Sequence, residues 1–135
     1  MSKIVYVDMV ADLFHKNHVE LLKEAKSLGN ILYVGIHSDE SVEKYKRIPI
    51  ISMEDRISVI EACKYVDKVI HDAPLIITEE YIKKHNIDLI VHAHPIDDHS
   101  YDEGYKVPME MNKFKRLSYH TGISTSEIIR RCKKR

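Results

Sequence analysis

The chain has 135 residues, enough for one domain that buries a substantial core without disulfide staples. Its 21 basic and 21 acidic residues cancel, so nothing global points to nucleic acid or to a membrane surface. Two isolated cysteines, Cys63 and Cys132, fit neither a zinc motif nor a secreted scaffold. With no signal-like segment and no apolar run of ~18 residues, a reducing cytoplasmic setting is expected.

The run "KIVYV" (3–7) is short and β-branched and predicts a buried strand. It leads into "DLFHKNH" (12–18), where two histidines stand three apart. Val19, Leu21, Leu22, Ala25 and Leu28 then fall at helical spacing, and Gly29-Asn30 is a stop signal. "ILYVGI" (31–36) predicts a second strand, and Ser38 a cap for a short helix through Tyr45. "KRIPII" reads as loop, since Pro49 blocks helix.

Ser52 opens a helix to about Cys63 in capping-box style, with Asp55 in place of Glu or Gln. "YVDKVI" (65–70) is a third strand. Thr78 caps a helix to about Asn86, and "DLIVHA" (88–93) is a fourth strand. The polar run 94–108 reads as loop with at most a helical turn. A short strand is expected near 114–119, and Ser124-Thr125-Ser126-Glu127 is a capping box before a last helix. The basic end "IIRRCKKR" complements that helix's C-terminal dipole, and Cys63 is expected in the core.

Strand and helix alternate throughout. The pattern predicts an α/β fold: a mainly parallel five-stranded sheet, covered on both faces, in a single domain over 1–135. Ligands in such folds bind at the carboxyl ends of the strands. Here those ends carry 8–18, 35–38, 92–98 and 119–126. Two of them are strand-to-helix joints, where unpaired N–H groups and the helix dipole favour an anion. The position of "HKNH" therefore favours phosphate over metal, because no carboxylate follows in ligand register. A blander reading stays open, in which Asn17 caps the helix and the histidines are polar neighbours.

"DLFHKNH" and "GISTSEII", with "YKRIPIISMEDR", "CKYVDKVI", "DAPLIIT" and "IDLIVHA" between them in order, resemble one nucleotidyltransferase family. It includes the cytidylyltransferases for phosphocholine, phosphoethanolamine and glycerol 3-phosphate. The resemblance covers nearly the whole chain. It implies a Rossmann-like three-layer sandwich, usually dimeric, that transfers CMP from CTP to a phosphorylated alcohol and releases pyrophosphate.

The resemblance assigns His15, His18 and Lys46 to catalysis. To nucleotide binding it assigns Asp8, Met9, Val10, Asp12, Asn17, Arg56, Lys64, His92, Gly122, Ile123, Ser124 and Thr125. His94, Asp97, Tyr101 and His120 are candidates for the acceptor pocket, with Asp98 beside them. Mg²⁺ is expected to enter with CTP rather than on protein ligands, and Asp67 to be structural, near a homodimer seam. Neither nucleic acid nor membrane is an expected partner.

The chain also departs from the family. Asn17 stands for a glycine, Met9 and Ala11 replace the glycine and phenylalanine before Asp12, and Lys64 replaces an arginine. No arginine precedes Gly122; the run is Tyr119-His120-Thr121. Leu75 and Ala93 replace the aromatic and acidic residues of a choline cage. These departures keep alternatives in view: an inactive nucleotide-binding relative with a scaffold or regulatory role, or a metal-binding histidine protein of the same fold.

Overall fold

The computed structural model describes residues 2–135. In chain order the elements are β1 (Ile4–Met9), α1 (Lys16–Ser27), β2 (Ile31–Ile36), α2 (Asp39–Glu43), α3 (Met53–Glu61), β3 (Lys68–His71), α4 (Glu79–Lys84), β4 (Leu89–Ala93), α5 (Lys106–Glu110), β5 (Phe114–Leu117) and α6 (Thr125–Lys134). The sheet order is β3-β2-β1-β4-β5. Every pairing in it is parallel, so the expected mainly parallel sheet is wholly parallel.

Alternation along the strands splits the core in two. Val5, Val7 and Met9 of β1 face one cluster with Leu22 and Ala25 of α1 and Ile57 and Ile60 of α3. Tyr6 faces the other, with Ile82 of α4, Ile87, Ile90 and Tyr105. Helices therefore cover both faces, giving three layers. Cys63 packs at the edge of the first cluster, as expected.

Caps explain most helix starts. Ser38 accepts from the Ser41 amide, Thr78 from the Tyr81 amide and Ser124 from the Glu127 amide. Two expectations fail. Ser52 makes no side-chain cap bond; the Met53 amide instead lies 3.4 Å from the Asp39 carboxylate. The Ser124 box is half made, because Arg130 and Arg131 hold the Glu127 carboxylate.

The third strand starts at Lys68, not Tyr65. Just before it, Asp67 fastens the chain to β2, donating its amide to the Leu32 carbonyl at 3.0 Å and taking the Leu32 amide on its carboxylate at 2.8 Å, and it pairs with Lys26. This gives Asp67 the structural place expected of it. The polar run holds more helix than expected: a 3₁₀ turn at His99–Tyr101 and then α5. Pro108 is admitted there because it sits in the first turn, where its missing N–H costs no helix bond.

Gly35 of β2 faces Tyr6. A Cβ there would fall 2.1 Å from the Tyr6 hydroxyl oxygen and 2.8 Å from the Ala73 Cβ. Tyr6 has nowhere to go: it is fully buried, and its hydroxyl is bonded to that of Tyr81 at 3.0 Å. Gly35→Ala is therefore expected to cost about 1–3 kcal/mol by overpacking. Chemical denaturation should show the midpoint shift; an unchanged midpoint would mean that Tyr6 repacks freely.

Candidate nucleotide-binding site

The strand order reverses direction between β1 and β4, so a crevice opens at their carboxyl ends. The turn from β1 into α1 forms one wall. It is tightly wound: Ala11 and Leu13 both take positive φ, 58° and 49°. Such conformations are unfavourable for side chains of this kind. Asn17, placed in the glycine position of the family, is in ordinary helix and needs no such freedom.

The cap of α1 is His15, not Asn17. The His15 Nδ1 accepts the Asn17 amide at 3.2 Å, and the His18 Nδ1 accepts the His15 amide at 3.0 Å. A backbone N–H can only donate, so both Nδ1 atoms are acceptors. A neutral imidazole must then carry its proton on Nε2. The two rings lie 3.8 Å apart, and Phe14 stacks on His18. Burial first, then the charges of His15 and Lys46, push His18 down to about 3. Burial also lowers His15. The pair is thus neutral at physiological pH, with both Nε2–H groups oriented by the backbone.

Asp12 ties the walls together. Its carboxylate accepts the Ile50 and Ile51 amides at 2.8 and 2.9 Å and Arg47 at 2.8 Å. Its carbonyl accepts the Thr125 hydroxyl at 2.7 Å. Burial opposes ionisation of Asp12, but Arg47 and the two amides outweigh it and hold the carboxyl below its ordinary range. Lys46 sits in the loop so anchored. Desolvation and the Arg47 charge lower its ammonium, and its charge reaches both His18 and His92.

Arg56 is buried beneath this wall. It donates to the Val10 and Ile51 carbonyls and to Asp39, at 2.6, 2.9 and 2.6 Å. Those bonds place it as a brace for the turn, a buried role that neither a nucleotide contact nor a solvated charge describes.

The segment before α6 forms the facing wall. Gly122 takes φ +99°, and the Asn17 side-chain amide donates to the carbonyls of His120, Thr121 and Ile123 at 3.3, 3.1 and 2.7 Å. His120 turns its ring away along α1, to 3.9 Å from Glu24. The floor belongs to β4. His92 and His94 are bonded through Nδ1 atoms at 2.9 Å, and both rings lie against Tyr101, at 4.5 and 4.9 Å. Burial leads in lowering His92 to about 4, helped by the charges of His94, His37 and Lys46. Asp97 is exposed at the rim, and Asp98 caps the Ser100 amide.

Two residues here were missed by sequence reasoning. Tyr105 donates to Asp8, and His37 lies 3.4 Å from the same carboxylate while its other nitrogen meets the Ala73 carbonyl at 3.1 Å. Burial lowers His37, but Asp8 more than reverses this and leaves it raised. His37 ends a predicted strand, and that position could have marked it. Tyr105 lies 97 residues from Asp8 and gives no such signal. Lys64 is a correction. It precedes β3 beside Asp67, which bonds the start of β2, so it lies at the amino edge of the sheet, opposite the crevice. Its ammonium instead sits 5.3 Å over the Tyr65 ring.

A parallel sheet with two helix starts facing a switch point defines a Rossmann-like α/β fold suited to an anionic ligand. A family model described as cytidylyltransferase-like matches residues 9–131. The ethanolamine-phosphate cytidylyltransferase of Arabidopsis thaliana is 38% identical over 136 residues, covering 96% of this chain and 32% of that protein. Choline-phosphate cytidylyltransferase A of Homo sapiens is 36% identical over 130 residues, 94% of this chain and 35% of its own. Among solved structures, a lipopolysaccharide core biosynthesis protein from Thermoplasma volcanium superposes with a TM-score of 0.74 at 23% identity, over 90% of this chain and all of that one. The chain belongs to the cytidylyltransferase-like family. It spans about a third of the length of these two curated relatives.

The depressed histidines make stability depend on pH. A histidine titrating near 6.5 when unfolded but near 3 or 4 when folded binds more protons in the unfolded state between those values. Its contribution is complete above 6.5 and is lost as pH falls. Raised His37 acts in the opposite sense. His18 and His92 together outweigh it, each costing up to about 2 kcal/mol between pH 6.5 and 5. The thermal midpoint should fall from pH 7 to pH 5, and replacing both by glutamine should flatten that slope.

Proposed function

We propose that this domain transfers CMP from CTP to a small phosphorylated alcohol of the phosphoethanolamine or glycerol-phosphate type, with release of pyrophosphate. The observation that carries the reading is the pair of backbone-oriented Nε2–H donors on His15 and His18, within reach of the Lys46 charge at the switch point. Family membership and the names of the curated relatives support the same reaction.

A phosphate monoester has a second pKa of about 6, so at neutral pH the acceptor already carries a nucleophilic oxygen. No general base is needed. Its oxygen forms a new bond to the α-phosphorus in line with the bond to the β-phosphate, which breaks, and pyrophosphate departs with that electron pair. The chain's part is to align two polyanions and stabilise the charge that develops on the transferred phosphoryl group. His15 and His18 donate to triphosphate oxygens, and Lys46 supplies counter-charge. The segment 122–125 borders the phosphates, with Met9 and Val10 lining the nucleotide side.

A divalent cation, expected as Mg²⁺ with CTP, supplies further neutralisation of the phosphates. Its ligands would be the phosphates themselves. Asp12 is taken up by protein donors and Asp8 by Tyr105 and His37, and among the described residues no group of three His, Cys, Asp or Glu is placed to hold a metal.

The acceptor end falls to His92, His94 and Tyr101, with Asp97 at the rim. With Ala93 and the half-exposed Leu75 in place of acid and aromatic, a quaternary ammonium is disfavoured. The reading includes a homodimer acting in the cytoplasm on small molecules, without nucleic-acid or membrane partners. Among the described residues no helix is long and apolar enough to cross a membrane. A second reading, nucleotide binding with little turnover, is favoured by one observation. The family arginine's position before Gly122 is Tyr119, which supplies no cation, and the neighbouring His120 lies 3.9 Å from Glu24 on α1.

Pyrophosphate release from CTP with phosphoethanolamine, glycerol 3-phosphate and phosphocholine separates these readings. The first two should support turnover well above the third. His18→Ala should lower kcat at least ~100-fold, the usual cost of a preorganised donor. Equal release by wild type and His18→Ala would sink the assignment of His18, and CTP binding without release would favour the second reading.

A further inference from the structure

Among the described residues, the Asn17 side chain is the one group that crosses from α1 to the segment before α6 by donating to its backbone carbonyls. One Nδ2 reaches three of them, those of His120, Thr121 and Ile123. Its two hydrogens are shared among three acceptors, so the segment is gathered around that nitrogen. A planar trans peptide points its N–H opposite to its C=O, and no peptide among the described residues is cis. Drawing these three carbonyls to Asn17 therefore turns the amides of Thr121, Gly122 and Ser124 away from it. None of the three amides has a protein acceptor among the described residues. The positive φ of Gly122 lets the chain reverse between them. Successive free amides in such a turn form a concavity for an anion.

We propose that Asn17 is a positioning residue that sets the 120–124 segment, in the ligand-free protein, with its amides presented to an anionic ligand. It touches no reacting atom in this role. The inference rests on the proposed nucleotide site for its ligand, but it is more general, since any polyphosphate would be gathered by the same amides. It also resolves why an asparagine can stand where the family has glycine. The side chain leaves the phosphate wall and becomes a bracket between two walls. Ordering the segment in advance removes an entropy cost that binding would otherwise carry.

Calorimetry on the whole chain with two probes, CTP with Mg²⁺ and inorganic tripolyphosphate, tests this on wild type, Asn17→Ala, Asn17→Gln and Asn17→Asp. Asn17→Ala should weaken tripolyphosphate about 10-fold, the scale of one to two hydrogen bonds. Asn17→Asp should weaken it further, because a carboxylate would face three carbonyls and repel the ligand. Asn17→Gln, which keeps the carboxamide, should recover part of the loss. CTP affinity should follow the same ranking, and steady-state pyrophosphate release should put the larger share of the loss in KM rather than in kcat. A lower thermal midpoint with unchanged affinity for both probes would make Asn17 merely structural and overturn the proposal. So would wild type binding neither probe. Wild type that binds tripolyphosphate, with the variants ranked as above, but not CTP, would uphold Asn17 while refuting the cytidylyltransferase reading.

Discussion

The site depends first on one buried carboxylate. Asp12 is almost wholly inaccessible, and an ionised carboxylate in such a place persists only if its oxygens are satisfied. The donors that satisfy it come from the loop at 47–51, so its burial and that loop's conformation are one fact. The flanking backbone is strained, with left-handed Ala11 and Leu13 on either side. Strain of about 1–3 kcal/mol per residue survives only where surrounding bonds over-determine the geometry. Here Arg56 holds the Val10 carbonyl, the loop amides hold the Asp12 side chain, and Thr125 holds its carbonyl. Removing the Asp12 carboxylate would release the strain and loosen the lysine loop together.

The electrostatics favour oriented dipoles over fixed charge. The formal charges of the chain cancel, and the two histidines nearest the helix start are held neutral. For the proposed reaction, neutral donors suit a ligand whose charge is redistributed and must leave. A permanently cationic pair would bind a substrate triphosphate and a product pyrophosphate with similar strength, which lowers KM without raising kcat. Lys46, on a loop, places a charge near His18. On the β4 side the same economy recurs, since Asp8 is already partnered by Tyr105 and His37 and leaves His92 as a neutral group.

The fold was legible in the sequence because its signals are local. Four β-branched runs and the short segment at 114–117 form the five strands, and Ser38, Thr78 and Ser124 begin helices as caps should. The site was legible as a place, less so as a set of bonds. Asparagine is a better cap than histidine by intrinsic preference, yet His15 caps α1, because the ring of His18 closes a reciprocal pair that no propensity describes. The three carbonyls that claim Asn17 lie more than a hundred residues away. Arg56 gave no sign of burial, since its three acceptors come from three separate segments. Lys64 misled in the other direction. A motif match aligned it with a family arginine, but its place before β3 puts it at the wrong edge of the sheet.

The start of α1 carries His15 and His18, the pair proposed to meet phosphate, and the Asn17 bracket to the opposite wall. A displacement of α1 by a fraction of an ångström would therefore move the donors and the 120–124 segment as one body, preserving their spacing. The helix is fastened in turn by Leu22 and Ala25, both fully buried against β1 and β2. Core packing a turn or more away thus sets the distance across the site. Because interiors are close-packed and stiff, a cavity at Leu22 would act on ligand affinity through α1 although Leu22 touches no ligand. The 46–51 loop is fastened differently, by Asp12 at Arg47, Ile50 and Ile51 and by Arg56 at the Ile51 carbonyl, so its position follows the β1–α1 turn and α3 rather than the packing of α1.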